Sequence, residues 1–213
     1  MSDRGASPDP NAAGFGGILR GMLLLGRGRA EGITYFGSSR DAVLSALAPR
    51  LALWLVLGGL TLGYAPQAIS GVKVLFALCL ILLPAVVTYT LAHRWKREAL
   101  WPRYITATWW TDWVTLFVGL AVAFLMALAS PRLLQSAMGA MILNGVEFAY
   151  SLWLTWYVAR IGLLLRRGQA VVLVLAVVGS LGLLVLMTGL LSPGQRAWHE
   201  FLYPMLVQQG AAH

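Results

Sequence analysis

The chain has 213 residues, of which 59% are hydrophobic and only 11% charged, and its formal net charge is +8. A mean hydropathy of +0.73 excludes a soluble domain of ordinary make-up, in which roughly half the residues are apolar and about a quarter charged. The positive charge would suit nucleic acid, but no folded basic module or recognition motif accompanies it, and that class is excluded as well.

Residues 1–13 carry Gly5, Pro8, Pro10 and Asn11, which disfavour a helix, and are expected to be a disordered tail. Residues 14–37 form a lead-in. Phe15, Ile18, Leu19, Met22 and Leu23 follow helical spacing, while Arg20, Arg27 and Arg29 can reach water or headgroups. That pattern fits an amphipathic helix lying in the membrane interface, or equally a helix packed under a bundle. Ile18 to Leu25 is too short, and too interrupted by Arg20 and Gly21, for the core of a secretory signal.

Residues 38–192 read as one membrane domain. A hydrocarbon layer roughly 30 Å thick asks for about 20 apolar residues per crossing helix. Five stretches qualify: Ala42–Tyr64, Val72–Ala92, Ile105–Ala129, Leu134–Val158 and Ala170–Leu191. Ser38 and Asp41 give the first an S-x-x-D start signal. Pro49 and Pro84 remove a backbone bond each and should bend the first two spans. Gly59 and Gly63 offer a small-residue face for close helix contact. Residues 193–213 remain as an outer tail, where Pro193 to Leu206 could lie on the outer surface or clasp a neighbour.

Basic residues fix the expected orientation. One side of the spans holds Arg4, Arg20, Arg27, Arg29, Arg40, Arg50, Arg94, Lys96, Arg97, Arg103, Arg160, Arg166 and Arg167; the other holds Lys73, Arg132 and Arg196. Thirteen against three places the N-terminus in the cytoplasm and the C-terminus outside. The basic face is expected to meet anionic lipid headgroups. Trp95, Trp101 and the Trp109, Trp110, Trp113 cluster suit an aromatic belt there, with a pigment or quinone wall as the alternative for the cluster.

Organised polarity is confined to spans three and four. Thr108, Asp112, Thr115 and Gly119 share one face of the third; Ala140, Asn144, Glu147, Ser151 and Thr155 share one face of the fourth. Such stripes hold helices together in lipid, where hydrophobicity gives no drive to association. A carboxylate at membrane depth costs several kcal/mol and needs a partner, a cavity or a counter-charge. Counting from Ile105, Asp112 lies near 10 Å deep at about 1.5 Å per residue. Arg50 and Arg103 are its candidate counter-charges. Glu147 has no basic residue at its own depth, so a neutral acid bonded to Asn144 or a threonine is one option.

Other chemistry finds no support in the residues. Cys79 sits mid-span as a small apolar residue. His93, His199 and His213 are scattered, which suits neither a metal site nor a haem. No catalytic signature, phosphate loop or dinucleotide fingerprint occurs. No cofactor is expected.

The runs GRGRAEGITYFGSSRDAVLSALAPRLALW and FAYSLWLTWYVARIGLLLRRGQAVVLVL resemble a group of small bacterial membrane proteins that is similar to the Ypt-interacting-protein (Yip) family. The resemblance covers most of residues 14 to 191 and rests on a cytoplasmic N-terminal segment, an amphipathic lead-in and five spans. It implies a bacterial inner-membrane location and a non-enzymatic role, and it transfers no catalytic residue. The expected architecture is therefore all-α: a five-helix transmembrane bundle with an N-terminal amphipathic interfacial helix. The expected function is a non-catalytic accessory or scaffold subunit packed against other integral membrane subunits. Two alternatives stand beside it: a small transporter or proton conductor using Glu147 and Asp112, and a Yip-like membrane-organising protein.

Overall fold

Hydrocarbon supplies no water to a peptide group, so a chain this apolar must satisfy its backbone within each segment, and helices do so. The structure, a computed structural model, describes residues 14–64 and 68–191. The expected tails at 1–13 and 193–213 lie outside the described residues. Among the described residues there is no strand. The chain forms α1 (Phe15–Gly26), a 3₁₀ segment (Ala30–Tyr35), α2 (Arg40–Tyr64) and α3 (Ala68–Arg94). After a 3₁₀ turn at Glu98–Leu100 come α4 (Trp101–Ala129), the short α5 (Pro131–Leu134), α6 (Ala137–Gly162) and α7 (Arg167–Leu191).

Among the described residues four segments are long and apolar enough to cross a membrane: Arg40–Leu60, Val74–Arg94, Glu98–Ala129 and Arg167–Thr188. They correspond to α2, α3, α4 and α7. The remaining long helix, α6, is not among them, because Asn144, Glu147, Ser151 and Thr155 dilute its apolar character. Boundaries moved for identifiable reasons. Ser39 rather than Ser38 caps α2, its hydroxyl accepting from the Ala42 N–H at 3.2 Å. Ser136 caps α6, accepting from the Gly139 N–H at 3.0 Å, which starts that helix later than Leu134. Such caps satisfy an N–H that the helix itself cannot.

The buried side chains gather at one end of the bundle. This is the basic end, where Arg40, Arg94, Arg97, Arg103, Arg160 and Arg167 lie. Leu25, Ala46, Ala92, Tyr104, Ile105, Trp109, Val158, Leu163 and Ala170 form its core. Trp109 is therefore an interior residue and not part of a surface belt. Toward the opposite end Phe117, Phe124, Leu128, Met138 and Met141 point outward. Among the described residues a Cβ on Gly59 or Gly63 would meet nothing within 4 Å; Gly58 makes the close approach instead, against Val74.

The N-terminal segment is part of this core. Met22 and Leu25 are buried, while Phe15, Leu19 and Leu23 are exposed on the side that also carries Arg20. Gly21 and Gly32 let α1 and the 3₁₀ segment cross at van der Waals limit, since a Cβ on Gly32 would lie 2.7 Å from the Gly21 carbonyl oxygen. The tyrosines of α6 then hold the turn after α1. The Tyr150 hydroxyl donates to the Gly26 carbonyl at 2.9 Å, and the Tyr157 hydroxyl donates to that of Gly28.

Helices α1, α3 and α6 end in the same way. The N–H groups of Arg29, Arg97 and Leu165 bond five residues back to Leu24, Ala92 and Arg160 at 2.8, 2.7 and 3.0 Å. The residue before each donor is left-handed: Gly28 (φ 74), Lys96 (φ 57) and Leu164 (φ 52). Only the first is free of a Cβ. A side chain in that conformation costs roughly 1–2 kcal/mol, against about 0.5–1 for the extra freedom of an unfolded glycine. Leu164 is 62% exposed, so little packing is at stake. Leu164→Gly and Lys96→Gly should each stabilise the protein by about 0.5–1 kcal/mol, read as a higher Tm of the detergent-solubilised protein by tryptophan fluorescence.

Candidate functional site

Arg50 of α2 and Asp112 of α4 form an ion pair inside the bundle. The same Arg50 nitrogen donates to the Trp109 carbonyl at 3.0 Å, which fixes the guanidinium along α4. Asp112 lies eleven residues into α4 and Arg50 ten into α2, or about 17 and 15 Å at 1.5 Å per residue. That is deeper than expected, because α4 begins at Trp101 rather than near Ile105. The two charges meet at equal depth, where neither could stay ionised alone without a cost of several kcal/mol. Arg103 does not join them. It lines a separate cavity of about 730 Å³ with Phe36, Ser38, Asp41 and Trp110 at the basic end.

The pair is not sealed. Arg50 and Asp112 keep 21% and 45% of their side-chain surface open, and that surface faces a cleft of about 580 Å³ between α2, α3 and α4. Leu53, Leu57, Ala77, Leu80 and Leu116 make its walls, with Trp54 and Trp113 beside them. The Trp54 Nε1–H donates to the Val74 carbonyl at 2.9 Å and ties α2 to α3 where Gly58 touches the same valine. Polar floor and apolar walls are what an amphiphile requires.

The stripes of α4 and α6 are only partly brought together. α4 packs most extensively on α6, and Glu147 lies against Gly119, where a Cβ would stand 3.3 Å from its Oε2. Among the described residues nothing pairs with Glu147 or bonds the Asn144 side chain, and Asn144 is exposed. Thr108 and Thr155 donate to carbonyls of their own helices, Tyr104 at 2.9 Å and Ser151 at 2.8 Å. Thr115 and Ser151 are half-buried. Thr108 and Thr155 thus satisfy themselves locally, a common recourse in lipid, and these bonds do not bridge helices.

Tyr150, Tyr157 and Trp54 were not legible as contacts in advance. Glycines at 21, 26, 28 and 32 were the available signal, since a run of them in an apolar segment marks close backbone approach. No family model matches the chain, and no curated protein and no solved structure matches it.

Removing one member of the pair leaves the other uncompensated at depth. Arg50→Met or Asp112→Leu alone should cost about 2 kcal/mol, below the 3–5 of a fully sealed pair because Asp112 is partly open. The double variant should recover most of that loss, since apolar replacements of a buried pair are often neutral. Thermal unfolding of the four proteins in detergent measures the cycle, and additive losses would contradict it.

Proposed function

We propose that this chain is a non-catalytic subunit of a bacterial inner-membrane assembly that docks side-on to another integral membrane protein. It crosses the bilayer five times, with α6 as the additional crossing and the N-terminus in the cytoplasm. The observation that carries this reading is Asn144, an exposed amide about 10 Å from the start of α6 at 1.5 Å per residue. In hydrocarbon such an amide keeps its hydrogen-bonding capacity only if a neighbouring helix meets it.

Supporting features surround it. Ala140 and Gly145 beside Asn144 are exposed and small, which permits close approach of a partner helix. α6 lies along α4, a placement that suits a crossing helix too polar to stand alone. The charge asymmetry of thirteen against three supports the orientation, and it sets the basic end against anionic headgroups. The transporter alternative asks both acids to serve one path, yet Asp112 is held by Arg50 while Glu147 abuts Gly119. A Yip-like membrane-organising role would use α1 as a free interfacial helix, whereas α1 is built into the core.

Gentle solubilisation of native membranes should yield the protein in a large assembly on a native gel. Asn144→Leu, which removes the amide and keeps the bulk, should shift at least tenfold more of the protein to a species of monomer size. A wild-type protein that migrates alone overturns the reading.

A further inference from the structure

We infer that the cleft between α2, α3 and α4 is a binding site for an uncharged, hydroxyl-headed lipid. Its hydroxyl sits on the Arg50–Asp112 pair and its chain lies along Leu57, Ala77, Leu80 and Leu116. The cleft is distant in sequence and element from Asn144 of α6, so the inference stands whether or not the docking reading does.

The open edge of the ion pair defines the headgroup. A carboxylate has about four acceptor positions and a guanidinium five donors. Among the described residues Asp112 bonds only Arg50, and Arg50 bonds only Asp112 and the Trp109 carbonyl. With 45% of Asp112 open, acceptor capacity faces a cavity whose walls are apolar. At membrane depth bulk water does not fill it, and unmet polar capacity costs free energy.

Charge then selects among lipids. The pair sums to zero, so a headgroup with a full charge gains from one member and is opposed by the other, while losing its own hydration. An anionic head is set against the exposed Asp112 carboxylate, and a cationic head against Arg50. A hydroxyl donates to Asp112 and accepts from Arg50 at once. The chain is accommodated by walls from three helices, and about 580 Å³ falls within the roughly 300–1,000 Å³ of small-molecule sites.

The test uses the full-length protein in phosphatidylcholine nanodiscs, with hexadecanol bearing a photoreactive diazirine on its chain as the probe. Labelled peptides mapped by mass spectrometry should concentrate around Trp54–Gly58 and Ala77–Ile81. Unlabelled hexadecanol should displace the probe at concentrations at least tenfold lower than palmitate or hexadecylamine. Farnesol and dioleoylglycerol as further competitors separate an isoprenoid or one-chain source from a two-chain one; displacement by either supports the hydroxyl chemistry.

Two variants make the result decisive. Ala77→Phe fills the cleft without touching the pair and should lower labelling at least tenfold with an unchanged Tm. Asp112→Asn leaves Arg50 uncompensated and should invert the order, so that palmitate displaces the probe better than hexadecanol. The inference is overturned if labelling spreads evenly over the lipid-facing helices. It is equally overturned if palmitate matches hexadecanol on the wild type, or if Ala77→Phe labels as strongly as the wild type.

Discussion

An arginine and an aspartate meeting at the same depth on neighbouring helices constrain the rest of this bundle. Opposite charges cannot be parked in hydrocarbon unless each finds the other, so the Arg50–Asp112 contact sets the register of α2 against α4. The bond from Arg50 to the Trp109 carbonyl removes the remaining freedom of slide, because it ties the side chain to one turn of the facing backbone. Once α2 and α4 are indexed, α3 is positioned by the Trp54 bond to Val74. The cleft among the three helices follows from the stand-off that a charged pair and two indole rings impose.

Packing is concentrated at one end. Large side chains interlock where the arginines gather, and the opposite halves of α4 and α6 present Phe117, Phe124, Met138 and Met141 outward. Dispersion and polar bonds, rather than hydrophobicity, hold helices together in a bilayer. A bundle fastened at one end and loosely joined at the other can accept neighbours or lipid along its open half without disturbing its core.

Much of this was legible in the residues, and the failures have physical causes. Apolar length alone located α2, α3, α4 and α7, since that signal is integral over many positions and tolerates small errors. Asp112 stood out because charge at depth is rare, and Arg50 was recognisable as its mate from depth alone. Arg103 was a candidate only by reaching inward from nearer the start of α4; it lines the cavity at the basic end instead, and spacing does not encode that side-chain direction. Ser38 and Ser39 differ by one position, and only the turn geometry after Phe36 decides between them. The threonine stripes misled because a hydroxyl can be satisfied by its own helix at no cost in position. The glycines of the first span were judged by spacing, yet Gly58, one residue earlier, faces Val74.

The tyrosine bonds to Gly26 and Gly28 have a consequence for how the chain is made. The lead-in leaves the ribosome before any other described part, but its seat is built from α4 and from α6, whose tyrosines lie 124 and 129 residues downstream. Until those helices have been made and packed, this early segment has no finished site to occupy. An early segment is thus seated late, as a bolt is thrown only once the door is hung.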